Sequence, residues 1–346
     1  MKTVTYRDAL REAILEEMRA DDEMIILGED IGLYGGAYAV TKGMLEEFGE
    51  ARVRDTPMSE AAIVGVAAGA AAVGIKSIAE IMYIDFITLA MDQIVNQAAK
   101  MRYMFGGKIK VPLVIRTQGG AGRSSAAQHS QSLESWFVGI PGLKVVMPST
   151  PYDAKGLLKA ALRDENPVLF IEHKVLYNTK GEIPEEEYII PIGKADIKKT
   201  GKDVTIISYS RMLLYALEAA AALEKEGISA EVLDLRSLQP IDKAAIIKSV
   251  KKTGSVVIVE EGCKTGGVGG EIAAIIAEEC FSALKNPIIR VAGKDVPIPC
   301  SPSLEKAAIP GVEDIIQAVK SQRVKSRNLK EKKIKNIINE EEKEEN

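Results

Sequence analysis

Short apolar runs alternate along the chain with segments in which apolar residues recur at helical spacing. The runs have the length of buried strands: Met24–Leu27, Ser77–Ile81, Val111–Arg116, Val145–Met147 and Val168–Ile171. Segments with the spacing of helices, such as Ala90–Met104, lie between them. Strands that alternate with helices predict a parallel sheet with helices on both faces.

The composition of the sequence changes around residues 177–201, where glycines and prolines interrupt an acidic stretch. Such punctuation is typical of a connection between domains. The α/β pattern then resumes, with strands predicted at Val204–Ser208, Ala230–Leu235 and Ser255–Glu260. We therefore predict an α/β domain over residues 1–180, a linker over 181–200 and a smaller α/β domain over 201–320.

Both ends of the chain are rich in charge. The segment Met1–Asp22 has the pattern of an amphipathic helix without the apolar region of a secretory signal. Residues 321–346 are dominated by Lys, Arg, Glu and Asn, so we predict a disordered or solvated helical tail, with docking to a partner as the alternative. The uncharged stretch Ala61–Ile75 is too short to span a bilayer and is predicted to be a buried helix.

Composition narrows the class of protein. The chain has 346 residues, 46% of them hydrophobic, which is enough for two domains. The net charge of -4 and the pI of about 5.6 offer no basic face for nucleic acid. Three widely separated cysteines fit a reducing compartment, and with no signal or membrane segment we expect a cytoplasmic protein.

A glycine-rich segment at residues 265–271 has two readings. It lies between a predicted strand and a predicted helix, where glycines could cradle a phosphate at the helix N-terminus. It could equally be a tight turn that needs positive φ. The spacing of a dinucleotide-binding motif and its downstream acid are lacking, which favours the turn.

Two polar residues are candidates for chemistry. His129, one of only two histidines, follows the glycine-rich run Gly119–Gly122, which suggests the wall of a pocket, although a lone histidine is often merely structural. Glu60 follows Ser59, a predicted N-cap, so it could simply favour the helix dipole. Alternatively, Glu60 is a carboxylate at the edge of an apolar layer, with a raised pKa and a proton to share.

Several long motifs together resemble one family. They are GEDIG (28–32), RVRDTPMSE (52–60), MDQIVNQAAKMRYMFGG (91–107), QHSQS (128–132), PGLKVVMP (141–148), DAKGLL (153–158), RDENP (163–167) and EVLDLRSL (231–238). They resemble the β subunit of the thiamine-diphosphate-dependent first component of 2-oxo acid and acetoin dehydrogenase complexes. The resemblance covers roughly Thr3–Val319.

The resemblance implies a transketolase-like architecture, with a pyrimidine-binding domain followed by the C-terminal domain of that superfamily. It also implies an α2β2 assembly with thiamine diphosphate bound between an α and a β subunit. The sequence contains no G-D-G motif of the kind that binds the diphosphate through magnesium. We therefore expect the α subunit to supply the magnesium site, and this chain alone to be inactive.

The resemblance also assigns roles to particular residues. Glu60 matches the glutamate that hydrogen-bonds a ring nitrogen of the aminopyrimidine, and Phe86 matches an aromatic position that packs on that ring, with plain core packing as the alternative. His129 matches the histidine near the reacting centre. A structural potassium site is implied at Leu113, Ala161, Leu162, Asp164 and Asn166, whereas Asp164 and Asn166 could instead form a turn before Pro167.

Pyruvate and acetoin are the substrates that the resemblance favours equally, with a branched-chain 2-oxo acid third. In each case the acyl group would pass to the lipoyl group of an acyltransferase component. A noncatalytic scaffold subunit of the same fold is the alternative, against which the presence of Glu60 and His129 speaks.

Overall fold

The predicted strands of the first domain lie side by side in a computed structural model that describes residues 1–322. The strands up to residue 183 are β1 (Lys2–Thr5), β2 (Ile25–Gly28), β3 (Val53–Asp55), β4 (Ser77–Ile81), β5 (Leu113–Gly119), β6 (Lys144–Val146), β7 (Val168–His173) and β8 (Lys180–Ile183). The helices are α1 (Tyr6–Ala20), α2 (Met44–Phe48), α3 (Glu60–Ala72), α4 (Ala99–Met104), α5 (Ser135–Val138) and α6 (Pro151–Leu162).

The second half repeats the alternation on a smaller scale. Its strands are β9 (Asp196–Lys199), β10 (Val204–Ser208), β11 (Ala230–Asp234), β12 (Ser237–Gln239), β13 (Val256–Cys263) and β14 (Ile289–Gly293). Its helices are α7 (Ser210–Lys225), α8 (Lys243–Thr253), α9 (Val268–Cys280), α10 (Pro302–Ala308) and a last helical stretch over 312–322.

Two main sheets organise the fold, each with a parallel centre. The first has seven strands in the order β12-β6-β7-β5-β4-β2-β3, and only β12 is antiparallel to its neighbour. The second has five strands in the order β14-β13-β10-β11-β9, with β9 antiparallel. The family's α/β fold class is thus confirmed, and β12 shows that the second domain completes the sheet of the first.

Helices cover both faces of each sheet. One apolar core packs α1 and α6 on the first sheet, and another packs α7 and the 312–322 helix on the second. A third core joins α3 of the first domain to α8 and α9 of the second, through buried side chains such as Ile63, Leu235 and Ile276. The two domains therefore share apolar burial, which favours a fixed relative arrangement.

The segment predicted as a linker, residues 181–200, takes part in both domains. β8 starts at Lys180 and pairs with β1, and Ile190 is buried in the core of the first domain. β9, later in the same segment, forms the edge of the second sheet. The predicted connection thus contributes strands on both sides: glycines and prolines signalled the turns, but they do not show which strands the connecting residues join.

Helix α3 is also less buried than its sequence predicts. The helix is apolar on every side, yet Val66 and Val73 are 59% and 79% exposed. Its other side packs on β4 and on the 3-10 turn Phe86–Ala90. The expectation of a fully buried helix is therefore wrong for the outward side of α3.

A buried ionic cluster crosses the first sheet. Arg116 on β5 donates to Glu80 on β4 at 2.6 Å and to both oxygens of Glu172 on β7, at 2.7 and 2.9 Å. Burial raises the pKa of Glu80, and this effect outweighs the positive charge of Arg116, which lowers that pKa. Tyr177 donates a further hydrogen bond of 2.5 Å to Glu172. Strands β4, β5 and β7 are thus linked by charged side chains that are buried away from water.

Candidate functional site

The candidate residues all follow the carboxyl ends of neighbouring parallel strands. Glu60 comes shortly after β3, Phe86 after β4, and His129 after β5. Because these strands are parallel, their carboxyl ends meet at one edge of the sheet, where ligands bind in open α/β folds. Sequence positions 26 and 43 residues apart are therefore brought to the same edge by the strand order β5-β4-β2-β3.

Glu60 is the first residue of α3 and is half-buried. Ser59 occupies the predicted N-cap position, but its side chain makes no capping hydrogen bond. Glu29, just after β2, has its pKa raised by burial and by the negative charge of Glu60. The Glu60 carboxylate is therefore close enough for its negative charge to make ionisation of Glu29 less favourable.

Sequence reasoning did not single out Glu29 as a site residue. Its position was visible within the motif GEDIG, immediately after a predicted strand. What the sequence lacked was the strand order, which places β2 between β3 and β4. Only that order brings Glu29 close to Glu60.

An aromatic cluster forms where the segments that follow β4 and β5 meet. The ring of His129 meets the ring of Phe86 edge to face, with centroids 5.3 Å apart at 83°. It meets the ring of Tyr83 in the same way, at 4.9 Å and 79°. Phe86 and His129, which are 43 positions apart, are thus in direct contact, and both are half-buried. Tyr83 is a further site residue that the sequence did not indicate.

The backbone of His129 is fixed by a buried lysine. Lys174, just after β7, donates from Nζ to the carbonyl oxygen of His129, and its ammonium lies 5.8 Å from the centre of the Tyr83 ring. Burial lowers the pKa of Lys174, whereas the charge of Asp85 raises it. Asp85 in turn accepts from the side chain of Gln131 at 2.9 Å, which fixes the chain on the other side of the histidine.

The run before His129 needs glycines because other side chains pack directly against its backbone. Gly120 has a φ of +86°, and a Cβ there would lie 2.1 Å from Nε2 of His173. Gly122 has a φ of +106°, and a Cβ there would lie 2.7 Å from the guanidinium of Arg211. Both positions need glycine for conformation and for space. The run therefore folds as a tight loop over the domain boundary and delivers His129 to the site.

Unpaired polar atoms test whether this edge suits a polar cofactor. In the described part of the chain, Oγ1 of Thr56 and Oε1 of Gln93 are buried without a hydrogen-bond partner. Thr56 lies between β3 and Glu60, and Gln93 faces α3 next to Gly65. Buried polar atoms normally have partners, so these two atoms, on either side of the start of α3 in sequence, have hydrogen-bonding capacity left for a group that the chain itself does not supply.

The glycines at residues 265–270 do not form a phosphate cradle. Oε2 of Glu260 accepts from the backbone N–H of Gly269 at 2.9 Å, so a carboxylate already occupies the N-terminus of α9. A Cβ at Gly267 or Gly269 would lie within 2.6 Å of that carboxylate. Gly266 has a φ of +71°, as the tight-turn reading predicts. These glycines serve the packing of Glu260, which also pairs with Arg290.

The residues predicted for potassium lie at the end of α6, in the turn that follows it, and at the start of β5. Oδ1 of Asp164 accepts from the backbone and side-chain nitrogens of Asn166, at 2.9 and 2.8 Å. Oδ2 accepts from Lys144. The carboxylate of Asp164 thus closes a turn and has a cationic partner. A cation here would depend on main-chain oxygens such as those of Leu113, Ala161 and Leu162.

Residues 1–322 contain neither a side-chain cluster for a metal ion nor a helix suited to a membrane. No cluster of three His, Cys, Asp or Glu side chains suited to a metal ion was found in that range. None of the helices there has the length and apolar character needed to cross a lipid bilayer. The three cysteines, Cys263, Cys280 and Cys300, are free thiols.

Comparison with known proteins places this fold in one class. Residues 2–180 match the family described as "Transketolase, pyrimidine binding domain", and residues 193–315 match "Transketolase, C-terminal domain". A solved structure described as "Split gene transketolase, inactive beta4 tetramer" superposes with a TM-score of 0.77 and 26% sequence identity. The alignment covers 92% of this chain and 98% of that one.

Curated relatives narrow the class further. The chain is 50% identical to the pyruvate dehydrogenase E1 component subunit beta of Rhizobium meliloti, over 93% of this chain and 70% of the relative. It is 51% identical to the 2-oxoisovalerate dehydrogenase subunit beta of Bacillus subtilis, over 88% and 94%. It is 47% identical to the acetoin:2,6-dichlorophenolindophenol oxidoreductase subunit beta of the same species, over 91% and 96%. The chain belongs to this family of E1 β subunits, as its motifs predicted.

Proposed function

We propose that this chain is the β subunit of a thiamine-diphosphate-dependent dehydrogenase component that cleaves pyruvate or acetoin. The two-carbon unit would pass to the lipoyl group of an acyltransferase. The observation that carries the proposal is the convergence of Glu60, Phe86 and His129 on one edge of the parallel sheet. An aromatic face and a carboxylate are the groups that an aminopyrimidine requires, and Oγ1 of Thr56, four residues before Glu60, has no hydrogen-bond partner in the described part of the chain.

In the proposed site each residue has a distinct task. Glu60 holds a proton at its carboxylate and shares it with a ring nitrogen of the pyrimidine, a task favoured by the apolar helix that it begins. Phe86 packs its flat face on the ring. The imidazole of His129 transfers a proton or orients the substrate and the lipoyl group. When bound, thiamine diphosphate supplies the nucleophilic carbon that attacks the substrate carbonyl.

The proposal requires an α subunit. The chain lacks a G-D-G motif, and the described residues contain no acidic metal cluster to hold magnesium and diphosphate. We infer an α2β2 assembly in which the α subunit supplies both. The related solved chain is described as an inactive β4 tetramer, which supports the inference that this chain has no activity alone.

The choice between substrates rests on the partner as much as on this chain. The printed names of three relatives near 50% identity include a pyruvate, a 2-oxoisovalerate and an acetoin enzyme. Similarity therefore does not rank the donors, and we keep pyruvate and acetoin level, with a branched-chain 2-oxo acid third.

We also propose a structural potassium ion held by the main-chain oxygens near Leu113 and Ala161.

The proposal is tested on the chain co-purified with its α partner, thiamine diphosphate and magnesium. Pyruvate, acetoin and 2-oxoisovalerate are offered side by side with an artificial electron acceptor. We expect turnover of pyruvate or acetoin by the complex and none by the β chain alone. A stable complex that binds the cofactor but turns over none of the three donors would contradict the proposal and favour a scaffold subunit.

A further inference from the structure

The loop that carries His129 is attached to the second domain at its start. The backbone N–H of Ala121 donates to Oε1 of Glu261 at 2.6 Å. The N–H of Gly122 donates to Oε1 of Glu305 at 2.7 Å, and that of Ser124 to Oε2 at 3.0 Å. Two carboxylates of the second domain thus hold three amides of the loop, across 140 to 183 sequence positions.

The two carboxylate side chains are buried, and Glu261 has further partners that fix it in place. Glu261 and Glu305 are 8% and 5% exposed. Glu261 lies between His173, whose Nε2 is 3.0 Å from Oε2, and Arg211, which is 3.5 Å from the same oxygen. Arg211 also donates to the carbonyl of Ala121 at 3.1 Å. Hydrogen bonds from amides to ionised carboxylates are among the stronger ones in proteins, particularly away from water.

The other end of the same loop is attached to the first domain. Lys174 donates to the carbonyl of His129, and Gln131 donates to Asp85. Between these anchors Ser124 and Ala126 have φ values of 55° and 63°, which are rare for residues with a side chain. Such a backbone persists only where its surroundings fix it.

We propose that Glu305 and Glu261 are positioning residues, through which the second domain sets the place of His129 at the active site. The inference rests on the proposed function, since it assigns the catalytic contact to His129. The second domain would thus influence catalysis in the first domain by fixing the position of His129. Glu305 is the cleaner test because, in the described part of the chain, the hydrogen bonds of its carboxylate all go to the loop. Its charge acts in addition on Lys174. Glu261, by contrast, also pairs with His173 and Arg211.

The test uses Glu305→Gln in the complex with the α partner. A glutamine keeps the shape of Glu305 but has only one acceptor oxygen, so it cannot hold both amides. Glu313→Gln is the matched control, because Glu313 is exposed, lies in the same domain and contacts Gln317. We expect faster hydrogen exchange in the peptide covering residues 120–131 for Glu305→Gln, and unchanged exchange for Glu313→Gln.

Turnover supplies the second readout. We expect Glu305→Gln to lower turnover roughly 10- to 100-fold, as when a group at the reacting centre is misplaced by about 1 Å. In a His129→Ala background the same change should have almost no further effect, because the residue that it positions is gone. An equal loss in both backgrounds would mean that Glu305 acts independently of His129 and would overturn the proposal.

Hydrogen exchange tests the attachment of the loop whether or not the complex is active. Unchanged exchange at residues 120–131 would overturn the attachment itself, and faster exchange with undiminished turnover would overturn the positioning role. If the wild-type complex turns over no donor, the proposed function fails, while exchange alone decides whether Glu305 holds the loop. Should Glu305→Gln not assemble, Glu305→Asp keeps the charge but withdraws both oxygens from the loop amides, and the same two readouts apply.

Discussion

The hydroxyl of Tyr209, at the start of α7 in the second domain, donates a 3.0 Å hydrogen bond to Oε1 of Glu134, which ends the His129 loop in the first. Both side chains are buried. Burial raises the pKa of Glu134 to about 7, and the charges of Glu260 and Glu261 add to the effect. Within the described residues Oε2 of Glu134 has no hydrogen-bond partner. The domain boundary thus contains a carboxyl group that favours its protonated form.

Glu134→Gln should therefore remove a pH dependence of stability. Because the folded-state pKa lies above the ordinary value, the stabilising effect of protonation is present at low pH and is lost as the pH rises through about 7. We expect the variant to match wild type near pH 4.5 and to exceed its free energy of unfolding by up to about 3 kcal/mol at pH 8.5. Melting curves of the assembled complex against pH check this, and parallel curves for the two proteins would contradict it.

Glu60→Gln tests the assigned proton at the pyrimidine. The amide preserves the size of the side chain, so we expect normal assembly with the α subunit. It cannot exchange a proton at this position, so turnover should fall by about 100- to 10,000-fold, the usual range for general acid–base groups. Steady-state kinetics give the measurement, with Glu50→Gln as an exposed control. Near-normal activity of Glu60→Gln would remove the residue from the mechanism.

Two truncations separate the charged tail from the fold. The tail predicted at residues 321–346 begins two residues too early, because Gln322 is buried and donates to the carbonyls of Val256 and Pro287 at 2.8 and 2.9 Å. The rest of that prediction, residues 323–346, lies outside the described residues. We expect removal of 323–346 to leave activity and assembly intact.

Removal of 321–346 should instead destabilise the second domain by about 1–3 kcal/mol, since buried carbonyls lose their donor. Melting temperature and size-exclusion chromatography with the α subunit distinguish the two truncations. Equal melting temperatures would show that the Gln322 contacts contribute nothing. Failure of the shorter truncation, 323–346, to assemble would identify the tail as an interaction element.

Arg116→Met should destabilise the first domain severely. The change leaves Glu80 and Glu172 buried without their shared cation, a loss that typically costs about 3–5 kcal/mol. Arg19→Met is the matched control, because Arg19 forms an exposed pair with Glu47 and its loss should hardly move the melting temperature. Urea unfolding of both variants provides the comparison, and similar midpoints would show that the buried cluster is dispensable.

Potassium should stabilise the assembled complex if the proposed ion is bound. A ligand that binds only the folded state raises the melting temperature with its concentration. We expect a higher melting temperature in potassium chloride than in choline chloride at equal ionic strength. Sodium chloride tests selectivity. Identical melting curves in all three salts would reject the site and leave Asp164 and Asn166 as a turn alone.

The sequence by itself determined the family, the α/β class and most strands. Ser77–Ile81 and Val204–Ser208 form strands with the predicted bounds, because a buried parallel strand is a continuous apolar run that needs no distant information. The helix predicted at Ala90–Met104 is helical from residue 91, although a π-helical segment, Gln93–Ala98, lies within it. The motifs also indicated Glu60, Phe86 and His129, and the structure places Phe86 and His129 in contact.

The tertiary structure alone decided how the two halves of the chain meet. Neither periodicity nor local motifs show that Glu29 lies near Glu60, that β12 joins the first sheet, or that Glu305 holds the loop of His129. A hydrophobic pattern reports which side of an element is buried, but not which distant element covers it. Contacts between a carboxylate and a backbone amide leave even less trace, because every residue except proline offers the same N–H. The partners of Glu261 and Glu305 were therefore fixed only by the packing of one domain on the other.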